Sequence, residues 1–182
     1  MAKFLTGNGG GKYMDPQAKF NVISYILNPM KTPHRLYGFF DPANNRIHTY
    51  DLSENVPSIV QAMDNVSIRY NKAGGVQLRH FYLSFAADEL WNYKDANDIG
   101  YQISFRFAKE FQTVYAVHED TDHINIHFVL NSVRWKDGSR YYGTKGDHYK
   151  IRETIGSVLR KYRIYRLEYV PKKAAAEGGL SK

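Results

Sequence analysis

A chain of 182 residues has room for one domain with a hydrophobic core and too little for two, and 43% hydrophobic content excludes a disordered chain. The absence of cysteine excludes disulfide scaffolds, thiolate zinc sites and cysteine nucleophiles, which leaves His, Asp, Glu and Asn to hold any metal. Twenty-five Lys and Arg against 18 acidic residues give a formal charge of +7; this favours a polyanionic partner, nucleic acid first, and 15 tyrosines suit stacking on unpaired bases.

In chain order, the start from Met1 to Gly7 lacks the apolar core of a secretory signal, and no stretch approaches the ~20 apolar residues of a membrane span. A cytoplasmic protein without membrane insertion is the expectation. Asp15-Pro16 predicts a helix start, with Phe20, Ile23 and Leu27 recurring at helical spacing, Tyr25 on the helix or its last turn, and Asn28-Pro29 ending it. Residues 33–53 read as loop with at most a short strand. A second helix is predicted over Val56–Tyr70, with Ile59, Val60, Met63 and Val66 inward and Gly74-Gly75 as breaker. Leu78–Phe85 reads as a strand, and Lys94–Phe111 as a third helix with Ile99, Ile103 and Phe107 inward.

Two strands are expected next, Thr113–His118 and Ile124–Arg134, joined by a connection of hairpin length. In the second, Ile124, Ile126, Phe128 and Leu130 form one apolar face, while Asn125, His127, Val129 and Asn131 form a mostly polar one. Asp137-Gly138 marks a turn into Arg140–Gly143, and a last helix over Asp147–Tyr162 turns Ile151, Ile155, Val158 and Leu159 inward. The order predicts an α+β fold, an antiparallel sheet with helices packed on it, over residues 1–171, with 172–182 as a flexible tail or the start of a linker.

Chemistry concentrates between His118 and His127. Asn125 and His127 are two apart and share a strand face, and His118 at the end of the partner strand reaches the same face. Two imidazoles and an amide oxygen suit Mg²⁺ or Mn²⁺, with open positions for phosphate oxygens, and Asp120 or Asp122 could orient an imidazole. Solvated histidines in a charged hairpin are the plainer explanation; the polar face opposite an apolar one weighs against it.

Three stretches carry a resemblance to a known family. Ser24-Tyr25-Ile26-Leu27-Asn28-Pro29-Met30-Lys31-Thr32, then Arg79-His80-Phe81-Tyr82-Leu83-Ser84-Phe85 with Ala86-Ala87-Asp88-Glu89, then the run from His118 through Ser132-Val133 to Tyr141 stand in the order of the motifs of relaxase and mobilisation nuclease domains, within the HUH endonucleases. The resemblance implies an HUH-like sandwich and a nicking enzyme that starts conjugative mobilisation at a transfer origin. It selects Tyr25 as nucleophile, forming a 5′-phosphotyrosine, and a divalent cation, Mn or Mg, at His118, Asn125 and His127. Asp120 is the first proton acceptor, with His80 and Glu89 behind it. Lys31, Arg79, Arg134, Lys136, Arg140 and Lys145 are phosphate contacts by this reading, and Tyr141-Tyr142 a stacking pair. The implied partners are origin DNA, as single strand and hairpin, an accessory DNA-binding protein and the coupling protein of a secretion channel. One departure is visible: the family places His at both ends of its His-x-His pair, and here Asn125 holds the first, with His123 a less favoured substitute. That keeps a non-catalytic origin-binding module of the same fold open as an alternative, beside the enzymatic ones, a rolling-circle replication initiator or an ordinary metal-dependent nuclease.

Overall fold

The computed structural model describes residues 1–6, 13–86, 88–90, 92–119 and 123–170. Seven strands, β1 (Ala2–Thr6), β2 (Tyr37–Asp41), β3 (Arg46–His48), β4 (Leu78–Phe85), β5 (Thr113–His118), β6 (Ile124–Asn131) and β7 (Leu167–Val170), form one sheet in the order β3-β2-β5-β6-β4-β1-β7. Neighbours run antiparallel except β1 and β7, which pair in parallel. The β5–β6 hairpin and β4 are central, and both of their faces are packed.

Helices α1 (Ala18–Ile26) and α2 (Val56–Arg69) cover one face, where Ile23, Ile26, Ile59 and Met63 pack with Val114, Ala116 and Val129. Helices α3 (Tyr93–Phe107) and α4 (Lys145–Leu159) cover the other, where Ile99, Ile103, Ile151 and Ile155 meet Ile126, Phe128 and Leu130. The α+β sandwich expected from the sequence is therefore the fold observed. Each helix on the second face has its own start signal. The Asn92 side chain accepts from the Asp95 backbone N–H, and Thr144 with Asp147 makes a reciprocal capping box.

Several expectations are corrected. The mostly polar face of β6 is itself buried, with Val129 and Asn131 fully so and His127 nearly so, and there the polarity is satisfied internally. Asn131 donates to the Met63 carbonyl and the Gln112 side chain, and Gln112 donates in turn to Asp41, which ties β6, β2 and α2 together. On α1 the helix begins at Ala18, two residues past Pro16; Phe20 is exposed, and Lys19 is buried in its place against Asp64. Residues 33–53 contain β2, wholly buried, and β3. Neither β1 nor β7 was anticipated. The third helix ends at Phe107 rather than Phe111, β6 ends at Asn131, and Arg140–Gly143 contributes a single bridge, Val133 with Arg140, and no strand. The predicted tail over 172–182 lies outside the described residues, and no helix among those described is long and apolar enough to cross a membrane.

Candidate active site

Strand register assembles the site. On one sheet face Tyr82 of β4 and Ala116 of β5 flank His127 of β6, while Ser84 and His118 flank Asn125 one step along. His80 lies two residues before Tyr82 and shares its face. The parity argument thus holds for His118, Asn125 and His127, and the sheet adds two side chains to them. The His118 and His127 rings are 4.0 Å apart between centroids, His80 Nε2 is 3.0 Å from His127 Nδ1, and the Tyr82 ring stacks on His127 at 4.9 Å and 18°. His80 Nδ1 is in turn 3.3 Å from the Tyr13 hydroxyl.

Helix α1 lays its last turn across this floor. Tyr25 is 47% exposed, and its ring stands edge-on to both His118 and His127. A helix leaves its final carbonyls without partners. Here His118 Nε2 donates to the Ile26 carbonyl at 3.0 Å, so the imidazole fastens the turn that carries Tyr25. Lys31, just beyond the helix, places its ammonium 5.2 Å from the Tyr25 ring centre, and its carbonyl accepts from the Glu119 backbone N–H.

Burial, reinforced by the neighbouring His118, His80 and Lys31, holds the His127 pKa well below the usual 6.5, so its imidazole is neutral at physiological pH. Burial also raises the Tyr82 phenol, with Tyr25 adding to the effect, so Tyr82 stays protonated.

The remaining expected residues are dispersed. Asp120 and Asp122 lie outside the described residues. Asn125 Nδ2 donates to the His123 carbonyl, and His123 is exposed just before β6. Glu89 bonds the amino terminus and the Ala86 N–H. Arg134 pairs with Glu110, and Arg140 donates to the carbonyls of Val76 and Lys72, so both brace loops. Lys136 lies over the Trp135 ring, and Lys145 is exposed at the first turn of α4. Arg79 packs over the Tyr141 ring and donates to the Tyr141 carbonyl.

The donors present match a divalent cation in kind. His127 is held neutral, the ligating form, and His118 already donates one ring nitrogen to a backbone carbonyl, the usual way a ligand imidazole is oriented. They are not preassembled: among the described residues no group of three or more His, Asp or Glu side chains stands as a ligand set. An oxygen donor such as Asn125 would have to complete it.

Comparison with known proteins places this geometry in context. The family model described as relaxase, MobA/VirD2-like, nuclease domain matches residues 25–164. The chain is 33% identical over 76 residues to Protein rlx of Staphylococcus aureus, an overlap of 42% of this chain and 23% of that protein. It is 27% identical over 168 residues to the group II intron-interrupted relaxase LtrB of Lactococcus lactis subsp. cremoris, covering 75% of this chain and 30% of LtrB. The chain thus spans between about a quarter and a third of these relatives. No solved structure matches it.

Proposed function

The chain belongs to the relaxase family, in its MobA/VirD2-like nuclease domain, and on that premise we propose that it nicks one strand of DNA at a transfer origin with Tyr25 as nucleophile. The supporting observation is the last turn of α1, fastened by His118, which holds an exposed phenol over His118 and His127. The Tyr25 oxygen attacks the scissile phosphorus and the bond to the 3′ oxygen breaks. The tyrosine is left esterified to the 5′ phosphate and a free 3′ hydroxyl departs. The phenolic proton passes to an acceptor, for which Asp120 is the first candidate, and the leaving 3′ oxygen takes up a proton. Because a phosphodiester is exchanged for a phosphotyrosine of similar energy, the strand can be rejoined by the reverse step without ATP. A divalent cation, Mn or Mg, held by His118, His127 and Asn125, would supply polarisation of a phosphate oxygen when bound.

Lys31 beside the nucleophile is the best placed of the phosphate contacts, with Lys145 and Arg79 following; Arg134, Lys136 and Arg140 complete the set from sequence. The proposed setting is the cytoplasm. Origin DNA, as single strand and hairpin, is the substrate, and an accessory DNA-binding protein and a coupling protein are the further partners.

The test is incubation with a supercoiled plasmid carrying the cognate origin and Mn²⁺, followed by mass measurement of the tryptic peptide containing Tyr25. A nick with that peptide joined to the 5′ end is expected. Binding without a nick would favour the second reading, a non-catalytic origin-binding module, which the Asn125 position motivates. Cutting without an adduct would point to an ordinary metal-dependent nuclease. A rolling-circle initiator would nick a replication origin instead.

A further inference from the structure

Beside the imidazole cluster lies a cavity of about 450 Å³, walled by β4, β1, the 141–143 segment and α4. Tyr13, Arg79, His80, Tyr142, His148 and Tyr169 line it. It joins the site through His80, whose ring bonds Tyr13 on the cavity side and His127 on the other. Its volume is in the range of small-ligand pockets.

The wall chemistry is selective. Aromatic rings and a guanidinium dominate, and no carboxylate lines the cavity among the described residues, although that of Asp147 is close enough to act on Arg79 and Tyr141. Tyr142 is 71% exposed at the rim, whereas Tyr141 is buried beneath Arg79; of the two adjacent tyrosines only Tyr142 has a face to offer. Two lining side chains, Arg79 and His148, each carry a buried nitrogen, Nε and Nδ1, without a hydrogen-bond partner among the described residues. The guanidinium of Arg79 and the imidazole of His148 bring hydrogen-bonding groups to the same wall, beside the aromatic rings. The Arg79 guanidinium is already fixed over Tyr141 by its bond to the Tyr141 carbonyl, and little order would be lost on binding.

We propose that this cavity receives one unstacked nucleobase of the strand whose neighbouring phosphate lies at Tyr25, making it a base-reading subsite; this rests on the nicking function proposed above. A base stacked on Tyr142 and hydrogen-bonded by Arg79 and His148 sets the register of the strand across the histidines. In this way the cavity fixes which phosphate is cut.

The experiment uses the full chain and two fluorescein-labelled 12-nucleotide probes of equal charge, one of mixed sequence and one built wholly of abasic tetrahydrofuran units, with anisotropy as readout. The wild type is expected to bind the base-bearing strand at least tenfold more tightly. Tyr142→Ala and His148→Ala should each narrow that gap by about fivefold to tenfold while leaving abasic affinity within twofold. A 4-thiothymine strand should photocrosslink to the tryptic peptide Tyr141–Lys145 in the wild type. Variants that keep the whole gap, or that weaken both probes equally, would overturn the subsite while leaving the nicking function standing. A wild type that binds neither probe would overturn both. Because Tyr142 is exposed, Tyr142→Ala should unfold within a few degrees of the wild type, so its binding is readable whatever His148→Ala does to the fold.

Discussion

The Tyr25 ring stands edge-on to that of His127, with centroids 5.9 Å apart and planes at 81°, and nearly as square to His118 at 5.6 Å and 70°. These contacts are between rings, so a phenylalanine at this position can keep them. Tyr25→Phe should abolish the covalent adduct while single-strand affinity stays within about twofold. An adduct persisting in Tyr25→Phe would sink the assignment of the nucleophile.

His118 acts on that ring through the backbone. His118→Ala removes the bond to the Ile26 carbonyl and leaves a buried acceptor unpaired, at a cost of about 1–3 kcal/mol. The looser last turn should lower nicking by on the order of a hundredfold, since misplacing a reacting group by about 1 Å costs that much. Amide exchange at residues 23–27 would report the loosening without depending on activity. Unchanged exchange would mean the bond does not order the turn.

Acid should weaken the metal-free protein through His127. Its folded pKa lies well below 6.5 because burial and the neighbouring His118, His80 and Lys31 disfavour the cation. As pH falls through 6.5 the unfolded chain takes up a proton that the folded one refuses, so this contribution is complete above about 6.5 and lost below it. Urea unfolding with EDTA present should show stability falling as the pH is lowered from about 7.5 to about 5.5. His127→Gln should flatten that part of the profile; an unaltered profile would show that another group carries it.

Lys19 is fully buried, with its ammonium 2.7 Å from Asp64 Oδ1 and 3.4 Å from Ser67 Oγ, and burial lowers its pKa even beside that partner. Asp64→Asn strands the charge and should cost about 3 kcal/mol, whereas Lys19→Met removes charge and desolvation together and should come near neutral. Equal losses in the two variants would contradict this asymmetry.

Gly138 has φ +68°, and a Cβ there would meet Tyr70 Cγ at 2.3 Å. The Tyr70 hydroxyl lies between the carbonyls of Trp135 and Lys136, at 2.9 and 2.8 Å, so the ring cannot easily withdraw. Gly138→Ala should lower stability by about 2–3 kcal/mol in thermal unfolding, with strain and overpacking adding.

What could be seen beforehand followed from periodicity. Period two placed Asn125 and His127 on one face, and period 3.6 bounded α2 and the inward side of α4 nearly to the residue. Period two also puts His80 and Tyr82 on one face of β4, but nothing local says that β4 pairs with β6, because a helix and a strand intervene; His80 therefore enters only as a supporting residue implied by the resemblance, and the stacked Tyr82 not at all. β1 and β7 are five and four residues long at one margin of the sheet and carry little alternation. β2 is buried on both faces and has no alternation at all. Lys19 defeated hydrophobic patterning outright, since only the Asp64 opposite it makes its burial tolerable.

The parallel pairing of the first strand with the last has a bearing on biosynthesis. Ala2 through Leu5 are synthesised some 160 residues ahead of Leu167 through Val170, the partner that closes their outer edge. During translation that margin stands open, able to recruit a foreign strand. Truncation before Leu167 would make the exposure permanent, turning a brief hazard of synthesis into a lasting tendency to self-associate.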